Sequence, residues 1–83
     1  MHEMGIANSI LDAVRKEMEP YPAARPVKVT VRIGAMAGVD PDSLTFCYQA
    51  LVNGTVFEPM ELAVVRAAAD ELELSSLELE EPS

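Results

Sequence analysis

The chain is poor in the residues on which most catalytic sites depend. Its 83 residues include one cysteine, Cys47, and one histidine, His2. A single cysteine excludes an internal disulfide and fits a reducing, cytoplasmic home. Six Lys and Arg stand against fourteen Asp and Glu, for a net charge of −8. That balance gives no basic surface for phosphate backbones or anionic bilayers, so nucleic acid and membrane are poor partners. Basic proteins and metal cations suit it better. No apolar run approaches the roughly 20 residues that span a bilayer. No basic segment followed by an apolar one opens the chain, so a signal peptide is not expected. Glycine is also scarce, at four. The one glycine-flanked turn, "GAMAG" over 34–38, lacks the lysine of a P-loop and any dinucleotide fingerprint. Nucleophilic catalysis needs a base beside Ser, Cys or Thr. The only imidazole stands at position 2, and Cys47 falls on an apolar helix face where cysteine usually packs. The chain does not read as an enzyme.

What is present is enough for one small domain. Hydrophobic residues make up 49%, which argues for a globular fold over disorder. From Met4 to Met18, apolar Met4, Ala7, Ile10, Leu11, Val14 and Met18 mark one face of an amphipathic helix. Pro20 and Pro22 end it, and "YPAARP" is a loop. Over Val27–Ile33, Val27, Val29, Val31 and Ile33 alternate with Lys28, Thr30 and Arg32, the period of a half-buried strand. Residues 34–38 form a flexible turn. In "DPDSLTFCYQALVNG", Asp40 suits a helix cap, Pro41 the first helical position and Asp42 the positive helix end. Leu44, Cys47, Tyr48 and Leu51 form its apolar face, and Asn53–Gly54 stop it.

A second strand is expected over Met60–Arg66, with Met60, Leu62 and Val64 on one face. A third follows in "ELELSSLELE". Its leucines change phase, even-numbered at Leu72 and Leu74 but odd at Leu77 and Leu79. A β-bulge near Ser75–Ser76 restores the register; the alternative is two short strands. Lys28 and Arg32 on strand one complement Glu71, Glu73, Glu78 and Glu80 on strand three, so these strands should be neighbours. The short "AAAD" link suggests that strands two and three form a hairpin, with strand three central. The expected fold is α+β, order α-β-α-β-β, with two helices on one face of a three-stranded sheet.

The chemistry concentrates at the start of the chain. Met1 offers an α-amine and His2 an imidazole. The amide nitrogen between them can join both in fused chelate rings if a metal displaces its proton. Ni(II) or Cu(II), which favour nitrogen in square-planar geometry, suit this set. The first four N–H groups of a helix have no intrahelical acceptor. Deprotonating the amide of His2 or Glu3 therefore breaks no helix bond. Glu3 can add a carboxylate or offset the cation near the positive helix end. Removal of Met1 is disfavoured before a residue as bulky as histidine, which keeps the amine in place. A lone histidine near a terminus is more often just a mobile residue.

Four stretches together resemble one family. They are "MHEM", "VRIGAMAGVDPDSLTFCYQAL", "GTVFEPMELAV" and "DELELSSLELE", in order through almost the whole chain. They are similar to the hydrogenase/urease nickel-incorporation proteins, HypA/HybF. The resemblance implies a nickel metallochaperone with Met1, His2 and Glu3 as its nickel-binding motif. It implies delivery of Ni(II) to the precursor of a nickel enzyme, a nickel–iron hydrogenase first and urease second, alongside an accessory GTPase. The family inserts a zinc module with two Cys-x-x-Cys pairs between strands two and three, where this chain has "RAAAD" over 66–70. One cysteine and one histidine cannot build a four-ligand structural zinc site, so no zinc is expected. The whole chain, 1–83, then reads as a single HypA-like nickel-binding domain with a short turn near 66–70. A second reading is a HypA-like interaction domain that binds a protein and no longer moves metal. Apolar Ala63 and Val65 on the outer side of strand two would be its contact edge. No residue pattern speaks to oligomeric state.

Overall fold

The computed structural model describes residues 2–81. Helix α1 runs Glu3–Glu17, strand β1 Arg25–Gly34, helix α2 Pro41–Val52, strand β2 Glu61–Ala67 and strand β3 Leu72–Glu80. The expected α-β-α-β-β order holds.

Helix α1 buries Ala7, Ile10, Leu11 and Val14, the middle of its apolar stripe. Met4 at its start is 44% exposed. Helix α2 starts as its sequence requires. The Asp40 carboxylate accepts from the Asp42 N–H at 3.0 Å and from the Ser43 hydroxyl at 3.1 Å, with Pro41 in the first turn. The Asp42 N–H is one of the orphan donors at the helix start, and the cap satisfies it. Leu44, Tyr48 and Val52 are its buried residues, and Cys47 packs partly buried against the core. The Tyr48 hydroxyl donates to the Met60 carbonyl at 2.5 Å, tying α2 to the chain entering β2. Burial pushes this phenol up to about 12. The Arg15 guanidinium lies 5.3 Å from the centre of the Phe57 ring, linking α1 to the α2–β2 loop.

The sheet corrects one expectation. The strand order is β2-β1-β3, so β1 is central, and β2 and β3 do not form a hairpin. β2 pairs with β1 in parallel, Val29 opposite Leu62 and Val31 opposite Val64. β3 pairs with β1 antiparallel. Helix α2 supplies the crossover that parallel strands need. The expected neighbours β1 and β3 are indeed paired. Arg32 meets Glu71 at 3.2 Å and Glu73 at 3.5 Å, and Arg25 meets Glu80 at 2.6 Å. Lys28, however, pairs with Glu61 of β2 at 3.5 Å. The basic strand has carboxylates on both sides, which is why it lies in the middle.

A short link can still join the two edge strands. They lie two spacings apart, about 9.6 Å, and four extended residues reach about 13 Å. The link crosses the end of β1 at Gly34. Gly34 N–H donates to the Glu71 carbonyl and Met36 N–H to the Ala69 carbonyl, both at 2.8 Å. A Cβ on Gly34 would lie 2.2 Å from the Ala69 oxygen and 2.7 Å from the Ala68 oxygen. Only glycine lets the chain pass so close.

The bulge in β3 occurs as expected. The register jumps from Thr30–Ser76 to Val31–Leu74, leaving Ser75 as the extra residue. Its hydroxyl donates to the Thr30 carbonyl at 3.3 Å. A second shift, between Pro26 and Lys28, was not legible in the alternation. It turns Val27, expected to face inward, into a 38% exposed residue.

Gly34→Ala is expected to lower unfolding stability by about 1–3 kcal/mol, the usual cost of overpacking, in urea titrations. Tyr48→Phe leaves the Met60 carbonyl unpaired, and the same titrations should show a loss of about 1–3 kcal/mol.

Candidate functional site

His2 is the N-cap residue of α1, with extended backbone (φ −87°, ψ 90°). Its side chain makes no capping bond and is exposed. The first helix hydrogen bond runs from the Ile6 N–H to the His2 carbonyl at 3.2 Å. The amides of His2 and Glu3 therefore precede the helix ladder. Met1 lies outside the described residues.

Glu3 does more than the sequence suggested. Its Oε2 accepts the backbone N–H of Asp40 at 3.2 Å. Asp40 is the cap of α2, so one carboxylate in the first turn of α1 joins the starts of both helices. The hydrogen bond from Asp40 N–H, and secondly one from its own N–H, hold the Glu3 carboxyl below the usual value of 4.5. Both donors favour the ionised form. No pattern within α1 announces this contact, since its partner lies 37 positions away. The His2–Glu3 pair thus sits on a framed corner of the molecule. The imidazole is free to bind, while the neighbouring carboxylate is already engaged.

A groove of about 350 Å³ runs from this corner between α1 and β3. His2 stands among its lining residues with Gly5, Ile6, Ile10, Leu72 and Leu74. No local pattern announces this groove, because it depends on how α1 sits over an edge strand.

Among the described residues no three His, Cys, Asp or Glu side chains gather in a metal-binding cluster. Any metal held here needs backbone nitrogen besides His2 and Glu3. Cys47 lies within α2, and the link over 68–71 carries neither sulfur nor imidazole. These residues do not fit a structural zinc site. Among the described residues no helix is long and apolar enough to cross a membrane.

A family described as "Hydrogenase/urease nickel incorporation, metallochaperone, hypA" matches residues 1–75. A hydrogenase maturation factor HypA of Chlorobium limicola is 45% identical over 69 residues, covering 83% of this chain and 60% of that protein. The one of Chlorobium phaeobacteroides is 47% identical over 64 residues, covering 77% of this chain and 57% of that protein. The chain therefore spans about three fifths of the length of these curated relatives. The solution structure of the Ni metallochaperone HypA from Helicobacter pylori shares its fold. The TM-score is 0.83 at 15% identity, covering 99% of this chain and 100% of that one.

The Glu3–Asp40 contact makes a pH prediction. A depressed carboxyl stabilises the fold above its unfolded value, and that contribution is lost as pH falls through the folded value. The Asp40 amide resonance should shift with a midpoint below 4.5. Glu3→Gln should abolish that inflection. A midpoint at or above the ordinary value would show that the contact is absent in solution.

Proposed function

Because the chain belongs to the HypA family of hydrogenase/urease nickel-incorporation metallochaperones, which are not enzymes, we propose that it carries Ni(II) on Met1, His2 and Glu3. The amine of Met1, the amide nitrogen of His2 and the His2 imidazole supply the nitrogen donors. Glu3 stands beside them. The observation that carries this reading is the placement of His2. It caps α1 with its side chain exposed and unused, beside amides that lie ahead of the helix ladder. Nickel can displace an amide proton to solvent there without unwinding α1. The Glu3–Asp40 bond keeps the corner in place, and the ionised carboxylate lowers the cost of bringing a cation to the positive helix end.

The cargo passes to the precursor of a nickel enzyme, a nickel–iron hydrogenase first and urease second, with an accessory GTPase assisting. In this reading the chain works as one nickel-binding domain, with the short turn over 68–71 between β2 and β3 in place of a zinc module.

Titration with Ni(II) should give a complex with nitrogen-type d–d absorption. His2→Ala or acetylation of the Met1 amine should abolish it. Affinity should fall with acid, as protons compete with the metal for the imidazole and the amine. Equal affinity in wild type and His2→Ala would overturn the assignment.

A further inference from the structure

The groove between α1 and β3 asks for an apolar occupant. Its polar side chains are engaged, apart from the His2 imidazole at one end. The Ser9 hydroxyl donates to the Gly5 carbonyl at 3.0 Å, and Glu73 meets Arg32 at 3.5 Å. The remaining lining includes Ile6, Ile10, Leu72 and Leu74. Ile6 is only half-buried and Leu72 is 41% exposed, so covering them removes apolar surface from water. A side chain that fits is apolar along its length and joins the backbone beside His2.

The start of α1 points to the residue that supplies it. His2 caps the helix without a side-chain bond. A capping box needs Glu or Gln at the third helical position, which here is Gly5. The apolar alternative is a staple, in which the residue before the cap packs on the fourth helical residue. Those two residues are Met1 and Ile6, and Ile6 lines the groove. Gly5 also lines it, and a Cβ there would meet nothing within 4 Å. No packing in the fold demands glycine at this position, and glycine weakens a helix relative to alanine. Its effect is to leave the groove open beside the helix start. Met4 does not line the groove. Methionine, unbranched and flexible, suits an irregular gap of this kind.

We propose that the Met1 side chain seats in this groove against Ile6, Leu72 and Leu74, and so fixes its own amine beside the His2 imidazole. Met1 is then a positioning residue through its side chain as well as a donor through its nitrogen. The seating needs no metal. Its value for nickel rests on the carrier reading: an amine already held on one side of His2 loses less freedom when the chelate closes.

A chain assembled by peptide ligation, with a free amine and a 13C-methyl label on Met1 alone, tests this. In nickel-free protein the Met1 methyl should show nuclear Overhauser contacts to the Ile6 and Leu74 methyls, and Leu72→Lys should remove them. Met1→Ala should weaken Ni(II) binding by about three- to tenfold, the order of one immobilised side chain. Met1→Leu should stay within about twofold of the wild type, because it restores the apolar contact without sulfur. Absence of the methyl contacts overturns the seating. Equal nickel affinity in Met1→Ala and wild type overturns the positioning role. A wild-type chain that shows the contacts but takes up no nickel sinks the carrier reading and upholds the seated Met1, so the two failures are told apart.

Discussion

The inner face of β1 fixes the position of every other element. Val29, Val31 and Ile33 are 0, 1 and 6% exposed, and both helices and both neighbouring strands meet on that row. Burying it requires helices above and strands on either side. The outer face carries the complementary constraint. Lys28, Thr30 and Arg32 are only partly exposed, and the two basic residues find carboxylates on both flanks. A strand with an apolar inner row and a basic outer row fits the middle of a sheet whose edges are acidic.

That constraint reaches the functional corner indirectly. β1 ends at Gly34, and the chain then turns through 35–39 to the cap of α2 at Asp40. Asp40 N–H is the donor that Glu3 accepts. The core therefore places α2, the α2 cap anchors Glu3, and Glu3 holds the start of α1 where His2 is exposed. Exposure at His2 and anchoring at the neighbouring Glu3 serve different needs. Under the proposed nickel-carrier reading, a ligand side chain outside the core can release its cargo while its backbone remains framed.

Local patterns were the most legible part of the sequence. The amphipathic stripe of α1, the Asp40-Pro41-Asp42 start of α2 and the phase change of the β3 leucines each have a cause within a few residues. The strand order did not. A four-residue link usually signals a hairpin, and the contrary evidence was one missing Cβ at Gly34, whose meaning appears only when Ala68 and Ala69 pass over it. The bulge at Val27 was hidden for a similar reason, since a valine fits the alternation whether or not it faces inward. At the candidate site, the exposed histidine and the amides ahead of the helix ladder could be anticipated from position alone. The Glu3–Asp40 contact and the groove beside α1 could not, because they belong to how two helices and an edge strand are stacked.

In the proposed site nickel is held by nitrogen at the chain start, framed by the ordered beginning of α1. X-ray absorption at the nickel K-edge tests it directly. The expected spectrum shows a planar shell of light donors with the outer-shell scattering of one imidazole, which disappears in His2→Ala. A shell containing sulfur, or one without imidazole scattering in the wild-type chain, would contradict it.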